Sequence, residues 1–168
     1  MIRVLFVCLG NICRSPIAEA TFNHLVKSKN LDKHIECDSA GTAAYHIGSL
    51  PDKRIRKVAQ DNGLILTHKA RQLAHDDFFK FDYIMAMDQS NFENIRKVSL
   101  LARDQEPSDI GIQLYRAFDP EKGNSLNVPD PYYEDFAAFQ NVYEIVRRSG
   151  SVFLDFLIEK HNLNAPEI

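Results

Sequence analysis

Apolar residues run along this chain in two rhythms. Ile2 and Val4 to Val7, interrupted only by Arg3, form a short run rich in β-branched residues that is bounded by Gly10-Asn11. Such a run predicts a central parallel strand buried on both faces. Beyond the loop, Ser15-Pro16 offers an N-cap followed by proline at the first helical position. Ala18, Phe22 and Leu25 then recur at helical spacing, with Lys27 and Lys29 suiting the C-terminal end. Ile35 to Ala40 reads as a second strand ending at Gly41, and Asp52 to Asn62 as a helix closed by Gly63. Asp82 to Met87 reads as a third strand, with Asp88 capping a helix through about Leu101, and Gln113 to Phe118 as a fourth. From Phe136 onward, Phe139, Tyr143, Val146, Phe153 and Leu157 keep a three-four step with Gly150 in the one small slot, which predicts a long amphipathic helix. The intervening Asp119 to Tyr133, rich in Pro, Asp, Gly and Asn, reads as a long surface loop of the kind that often carries function. Strand and helix thus alternate, and the expected fold class is α/β: an open four-stranded parallel sheet with helices on both faces. In such sheets ligands sit beyond the carboxyl ends of the strands.

Length and composition narrow the picture. The 168 residues fit one domain spanning 1–168, and no composition shift marks a boundary. Hydrophobic residues make up 45% and charged residues 26%, as in a soluble globular protein. Twenty basic residues against twenty-three acidic ones leave a formal charge of −3, so no global field favours nucleic acid or an anionic membrane, and any anion site must be local. The longest apolar run, Val4 to Leu9, is far below the roughly 20 residues of a membrane helix and shorter than a secretory core, so neither insertion nor export is expected. Three cysteines cannot all pair with one another, which points to a reducing cytoplasm and to thiol chemistry rather than bridges.

That chemistry concentrates in Cys8-Leu9-Gly10-Asn11-Ile12-Cys13-Arg14-Ser15-Pro16. Lying between a buried strand and a capped helix, the backbone N–H groups of Leu9 to Ser15 can converge with the helix N-terminus on one anion, and phosphate is the natural guest. The same field, with Arg14 close by, favours thiolate at Cys8, and the thiolate is the nucleophile. Arg14 supplies a planar fork for two phosphoryl oxygens, and Gly10 lets the backbone approach the ligand. A zinc reading of Cys8 and Cys13 fails for want of two further ligands, so no metal and no cofactor is expected. Because both sulfurs lie in one short loop, oxidation of Cys8 is expected to be trapped reversibly as a Cys8 to Cys13 disulfide; the alternative is that Cys13 only packs beneath the loop. A proton donor is also needed, and Asp130, stiffened by prolines in Pro129-Asp130-Pro131-Tyr132-Tyr133, is the candidate. Drying by the adjacent rings would keep it protonated, whereas a plain Asp-Pro turn with rim aromatics is the competing reading. Asp88 reads as a helix cap, and Lys53, Arg54, Arg56 and Lys57 as a solvated face.

Cys8 to Pro16, Asp38 to Gly41, Thr67 to Arg71, Phe81 to Ile84 and Asp130 to Tyr133 together resemble the low-molecular-weight protein tyrosine phosphatases, in the family's order and over most of the chain. The resemblance implies a flavodoxin-like sheet and metal-independent hydrolysis of phosphotyrosine and other aryl phosphates through a phosphocysteine. It assigns Cys8 as nucleophile, Arg14 as phosphoryl clamp and Asp130 as general acid. Ser15 matches the hydroxyl that hydrogen-bonds the thiolate, and Asn11, Ser39 and His68 a polar network bracing the loop. Tyr132 and Tyr133 match the cleft wall, while Tyr45 stands where many members carry tryptophan or another aromatic ring. The implied partners are phosphotyrosine proteins, with phosphate or vanadate as active-site ligands. Arsenate reductases share the loop but need further cysteines downstream, and none follows Cys37. Protein arginine phosphatases typically carry Thr where this chain has Ile12. A phosphopeptide binder without turnover would need no nucleophile at Cys8.

Overall fold

The computed structural model describes residues 1–103 and 111–163. Four strands, β1 (Ile2–Cys8), β2 (Ile35–Gly41), β3 (Tyr83–Ala86) and β4 (Gly111–Leu114), form one sheet in the order β2-β1-β3-β4. Every neighbouring pair is parallel. The helices are α1 (Arg14–Ser28), α2 (Lys53–Asp61), a single turn α3 (Asp77–Lys80), α4 (Gln89–Arg103) and the 25-residue α5 (Phe136–Lys160).

The near-unbroken apolar runs of β1 and β3 are explained by burial on both faces. Alternate residues divide them: Val4 and Phe6 with Tyr83 and Met85 meet Ile17 and Phe22 of α1, Ile55 of α2 and Phe153 of α5. Leu5, Val7, Ile84 and Ala86 meet Phe78 of α3 and Ile95 of α4 on the other side. Because the chain leaves β1 for β2 on one side and later crosses to β3 on the other, the strand order reverses beside β1. A crevice opens there beyond the carboxyl ends, next to Cys8. Among the described residues no helix is long and apolar enough to cross a membrane.

Three local expectations are corrected. Helix α1 begins at Arg14, so Pro16 is its third residue rather than its first, and Ser15 is not the N-cap. The cap position falls on Cys13, which makes no side-chain cap bond, and the Ser15 hydroxyl is turned into the loop. The fourth strand stops at Leu114 and continues as a 3-10 turn, Tyr115–Phe118. Spacing of three on such a turn puts both rings on one side. Tyr115 meets Phe6 with ring centroids 4.9 Å apart, and Phe118 meets Phe153 at 5.0 Å. Of the two arginines on the supposed solvated face, Arg56 donates to Pro51 O at 2.9 Å, and Arg54 is more fully committed, as described below. Gly150 does fill the tight slot: a Cβ there would lie 2.8 Å from the Tyr115 hydroxyl.

Candidate active site

Residue Cys8 ends β1 with its sulfur almost fully buried. The sulfur receives the Asn11 N–H at 3.3 Å and lies 3.0 Å from the Ser15 hydroxyl. Ser15 Oγ accepts from Asn11 Nδ2 at 2.8 Å, so its one hydrogen is directed either at the sulfur, 3.0 Å away, or at the more distant Ala40 O, at 3.4 Å. Asn11 is the loop's left-handed residue, at φ 57°. That conformation is uncommon for a residue with a Cβ, and asparagine tolerates it better than most.

What holds Asn11 there is a saturated side chain. Its Nδ2 donates to Ser15 and, at 3.0 Å, to Ser39 Oγ, while its Oδ1 accepts from His68 Nε2 at 2.9 Å and the Arg71 N–H at 3.0 Å. Since Oδ1 can only accept, His68 must carry a proton on Nε2. The Nδ1 side then faces Glu19 and Asp38, each at 3.4 Å. Burial holds the imidazole below its usual pKa despite the Asp38 charge. Glu19 is pushed up to about 8, by burial first and by Asp38 second, so it stays protonated at neutral pH. Arg71 closes the network by pairing Asp38 at 3.1 Å and Asp77 at 3.0 Å. Among the described residues, Glu19, Asp38 and His68 form the one group whose ligand atoms lie close enough to share a metal ion. Cys8 and Cys13 are not part of it.

The loop that follows β1 is also fastened to the chain just beyond β2. Thr42 N–H donates to Cys8 O and Ala43 N–H to Leu9 O, both at 2.9 Å. The approach is so close that a Cβ on Gly41 would stand 2.6 Å from Leu9 O, so only glycine fits.

Arg14 opens α1 and is buried. Its Nη1 donates to Asp88 Oδ2 at 2.7 Å and to Val128 O at 3.1 Å, and its Nη2 lies 3.7 Å from Asp130 Oδ2. Burial pulls the guanidinium's pKa down, but the charges of Cys8, Asp88 and Asp130 outweigh it and hold the pKa above the ordinary value. Asp88 does cap α4, accepting from the Asn91 N–H at 2.7 Å, yet its other oxygen carries Arg14, a role the cap reading missed. Its place at the carboxyl end of β3 was the available signal.

Cys8, Leu9, Gly10, Ile12, Cys13 and Arg14 form the floor of a cavity of about 270 Å³, walled by Tyr45, His46, Asp130, Tyr132 and Tyr133. All the expected wall residues therefore converge, and His46 joins them unforeseen. The expectation that rings dry Asp130 is not met. Its carboxyl is half exposed and Tyr133 is 93% exposed, with Tyr132 edge-on beside it at 4.9 Å. What bears on Asp130 instead is Arg14 and a bond from the Tyr132 N–H at 3.1 Å. Arg54 reaches this loop from α2. Its Nη1 donates to Tyr132 O at 3.0 Å, while Nε and Nη2 grip Asp52 at 3.0 and 2.8 Å.

A thiol, a buried guanidinium and a carboxyl around one anion cradle are the parts of a cysteine-dependent phosphatase. Residues 3–163 match the family described as low molecular weight phosphotyrosine protein phosphatase, and the chain belongs to that family. It is 43% identical to the low molecular weight phosphotyrosine protein phosphatase of Gallus gallus over 90% of this chain and 93% of that one. A solved protein tyrosine phosphatase from Entamoeba histolytica superposes with a TM-score of 0.85 at 36% identity, covering 96% of this chain and 99% of its own. A Drosophila arginine phosphatase superposes equally well, with a TM-score of 0.85 at 34% identity, over 92% of this chain and 97% of its own.

Proposed function

We propose that this protein hydrolyses phosphotyrosine and other aryl phosphate monoesters through a phosphocysteine at Cys8, and that its substrates are phosphotyrosine proteins of the cytoplasm. The observation that carries the reading is the convergence on one cavity of the Cys8 sulfur, the buried Arg14 and the Asp130 carboxyl. In the first step the Cys8 thiolate attacks phosphorus, the S–P bond forms, the aryl P–O bond breaks, and Asp130 gives its proton to the departing oxygen. In the second, Asp130 takes a proton from water, whose oxygen attacks phosphorus and returns the electron pair to sulfur, releasing inorganic phosphate. The backbone N–H groups of Leu9 to Ser15 and the Arg14 fork offset the charge on the transferring group throughout. No metal or cofactor is needed for either step. Ser15 and Asn11 steady the thiolate, and Ser39 and His68 steady Asn11. Tyr45, Tyr132 and Tyr133 build a slot for a phenyl ring, and apolar Ile12 on its floor suits that ring better than a guanidinium.

The test is the first-step rate of Asp130→Ala across phenols of rising leaving-group pKa. Losses of roughly 10²–10⁴-fold are expected for poor leaving groups, shrinking for phenols that depart as anions. Equal losses for all would assign Asp130 to the turn. A phosphoarginine peptide run in parallel should turn over far more slowly than the phosphotyrosine peptide, and the reverse order would reassign the substrate.

A further inference from the structure

The first two turns of α2 carry Lys53, Arg54, Arg56 and Lys57, and Arg54 is held unlike a free surface cation. Its guanidinium carbon sits 4.2 Å from the centre of the fully buried Phe139 ring and 5.5 Å from that of Tyr132. Stacking on two rings and forking onto Asp52 use the planar face and the donor edge together, which an exposed ion pair does not achieve.

The contacts link the two halves of the site. Asp52 N–H donates to the phosphate-loop carbonyl of Ile12 at 2.7 Å, and the Asp52 carboxylate caps α2 through the Arg54 N–H at 2.8 Å. Asp52 is gripped by Arg54, and Arg54 Nη1 holds Tyr132 O. The Tyr132 N–H in turn donates to Asp130 Oδ1. Upstream, Val128 is fixed by its N–H to Met87 O at 2.8 Å and by its carbonyl to Arg14. Asp130 therefore hangs between two anchors, Val128 and Tyr132, and Arg54 makes the second. Arg54 itself does not line the cavity.

We propose that Arg54 is a positioning residue that holds the Asp130 segment in register with the phosphate loop, so that the carboxyl lies within reach of the leaving oxygen. The proposal rests on Asp130 acting as general acid. Hydrogen bonding to Arg54 also keeps Asp52 below the usual carboxylate range, so the bracket does not loosen across the neutral pH range. A misplacement of about 1 Å at a reacting group can cost about 10²-fold, and here the cost falls on proton donation alone.

The experiment measures phosphoenzyme formation for Arg54→Ala, Arg54→Lys and Asp130→Ala, and for the Arg54→Ala/Asp130→Ala pair, over a series of substituted phenyl phosphates, with the inhibition constant of vanadate alongside. Arg54→Ala should lose roughly 10- to 100-fold on poor leaving groups and little on activated ones, with vanadate inhibition unchanged. Arg54→Lys, which keeps a donor for Tyr132 O without the fork, should recover part of the loss, and it reads the proposal should the alanine variant not fold. In the Asp130→Ala background, Arg54→Ala should add no leaving-group dependence. A loss uniform across leaving groups, a parallel weakening of vanadate, or full activity would overturn the proposal. A flat response of Asp130→Ala itself would instead overturn the general-acid reading.

Discussion

Replacing Asn11 separates what its side chain does from what its backbone does. Four hydrogen bonds meet on its amide, two given and two received, and Ser15 and Ser39 at the other end of two of them are fully buried. At roughly 1 kcal/mol net each, Asn11→Gly should cost about 4 kcal/mol, since glycine accepts the left-handed backbone at no penalty but leaves every partner without its mate. Asn11→Ala loses the same four bonds and also meets the left-handed penalty, which adds about 1 kcal/mol. Urea unfolding at neutral pH reads both values, and first-step kinetics with an aryl phosphate read the consequence for the cradle. Turnover should fall by at least about 10-fold in both variants, because the Asn11 N–H that reaches the Cys8 sulfur moves with the loop. Equal stabilities for the alanine and glycine variants would remove the backbone penalty from the argument. A loss below about 1 kcal/mol in both would show that the network does not brace the loop.

Three other consequences can be measured. In the unfolded chain Glu19 ionises near ~4.3, whereas in the fold it keeps its proton up to about 8, so its contribution to stability is complete at low pH and is lost as pH rises through 8. Glu19→Gln should therefore flatten the decline of unfolding free energy between pH 5 and 8, and an unchanged slope would contradict the assignment. His68, lowered by burial, works in the opposite sense and is common to both proteins. Gly150→Ala should destabilise by about 1–2 kcal/mol, overpacking against the Tyr115 hydroxyl outweighing the helix-propensity gain. Adding Tyr115→Phe, which removes an oxygen without a hydrogen-bond partner, should restore stability, and additive melts would place the clash elsewhere. Burial first, and then the charge on Cys8, push the Cys13 thiol well up. Peroxide that converts the Cys8 thiolate to a neutral sulfenic acid removes only the smaller of these causes, and the bridge forms by condensation of the sulfenic acid with the Cys13 thiol, expelling water. After a peroxide pulse, dithiothreitol should restore wild-type activity more fully than that of Cys13→Ser, and equal recovery without a Cys8 to Cys13 peptide would refute the bridge.

Local signals carried the sheet and the phosphate loop, and non-local contacts account for what was misread. Strands β1 and β3 were legible because burial on both faces writes a continuous apolar run. The loop was legible because strand, glycine, thiol, arginine and helix stand in one short stretch of chain. The fourth strand was overextended because Tyr115 and Phe118 look β-like, and only their partners Phe6 and Phe153, distant in sequence, reveal the 3-10 turn. The Ser15 cap signal was real chemistry used for another purpose, since a hydroxyl that can cap a helix can equally serve a thiolate. Asp88 and Arg54 were read from their own helices as a cap and a solvated charge. Their partners, Arg14 at 74 positions' distance and the Tyr132 carbonyl at 78, lie where no periodicity points. The protonated Glu19 could not be foreseen, because its state follows from burial beside Asp38.

The most direct test of the account is to trap the intermediate. Wild-type protein mixed with a phosphotyrosine peptide, quenched within milliseconds and digested under conditions that spare a thiophosphate linkage, should yield phosphate on the peptide that carries Cys8, formed faster than steady-state turnover. The same protein with Cys8→Ser should bind vanadate yet form no such adduct. Turnover without a Cys8 adduct, or phosphate lodged on another side chain, would contradict the proposed mechanism.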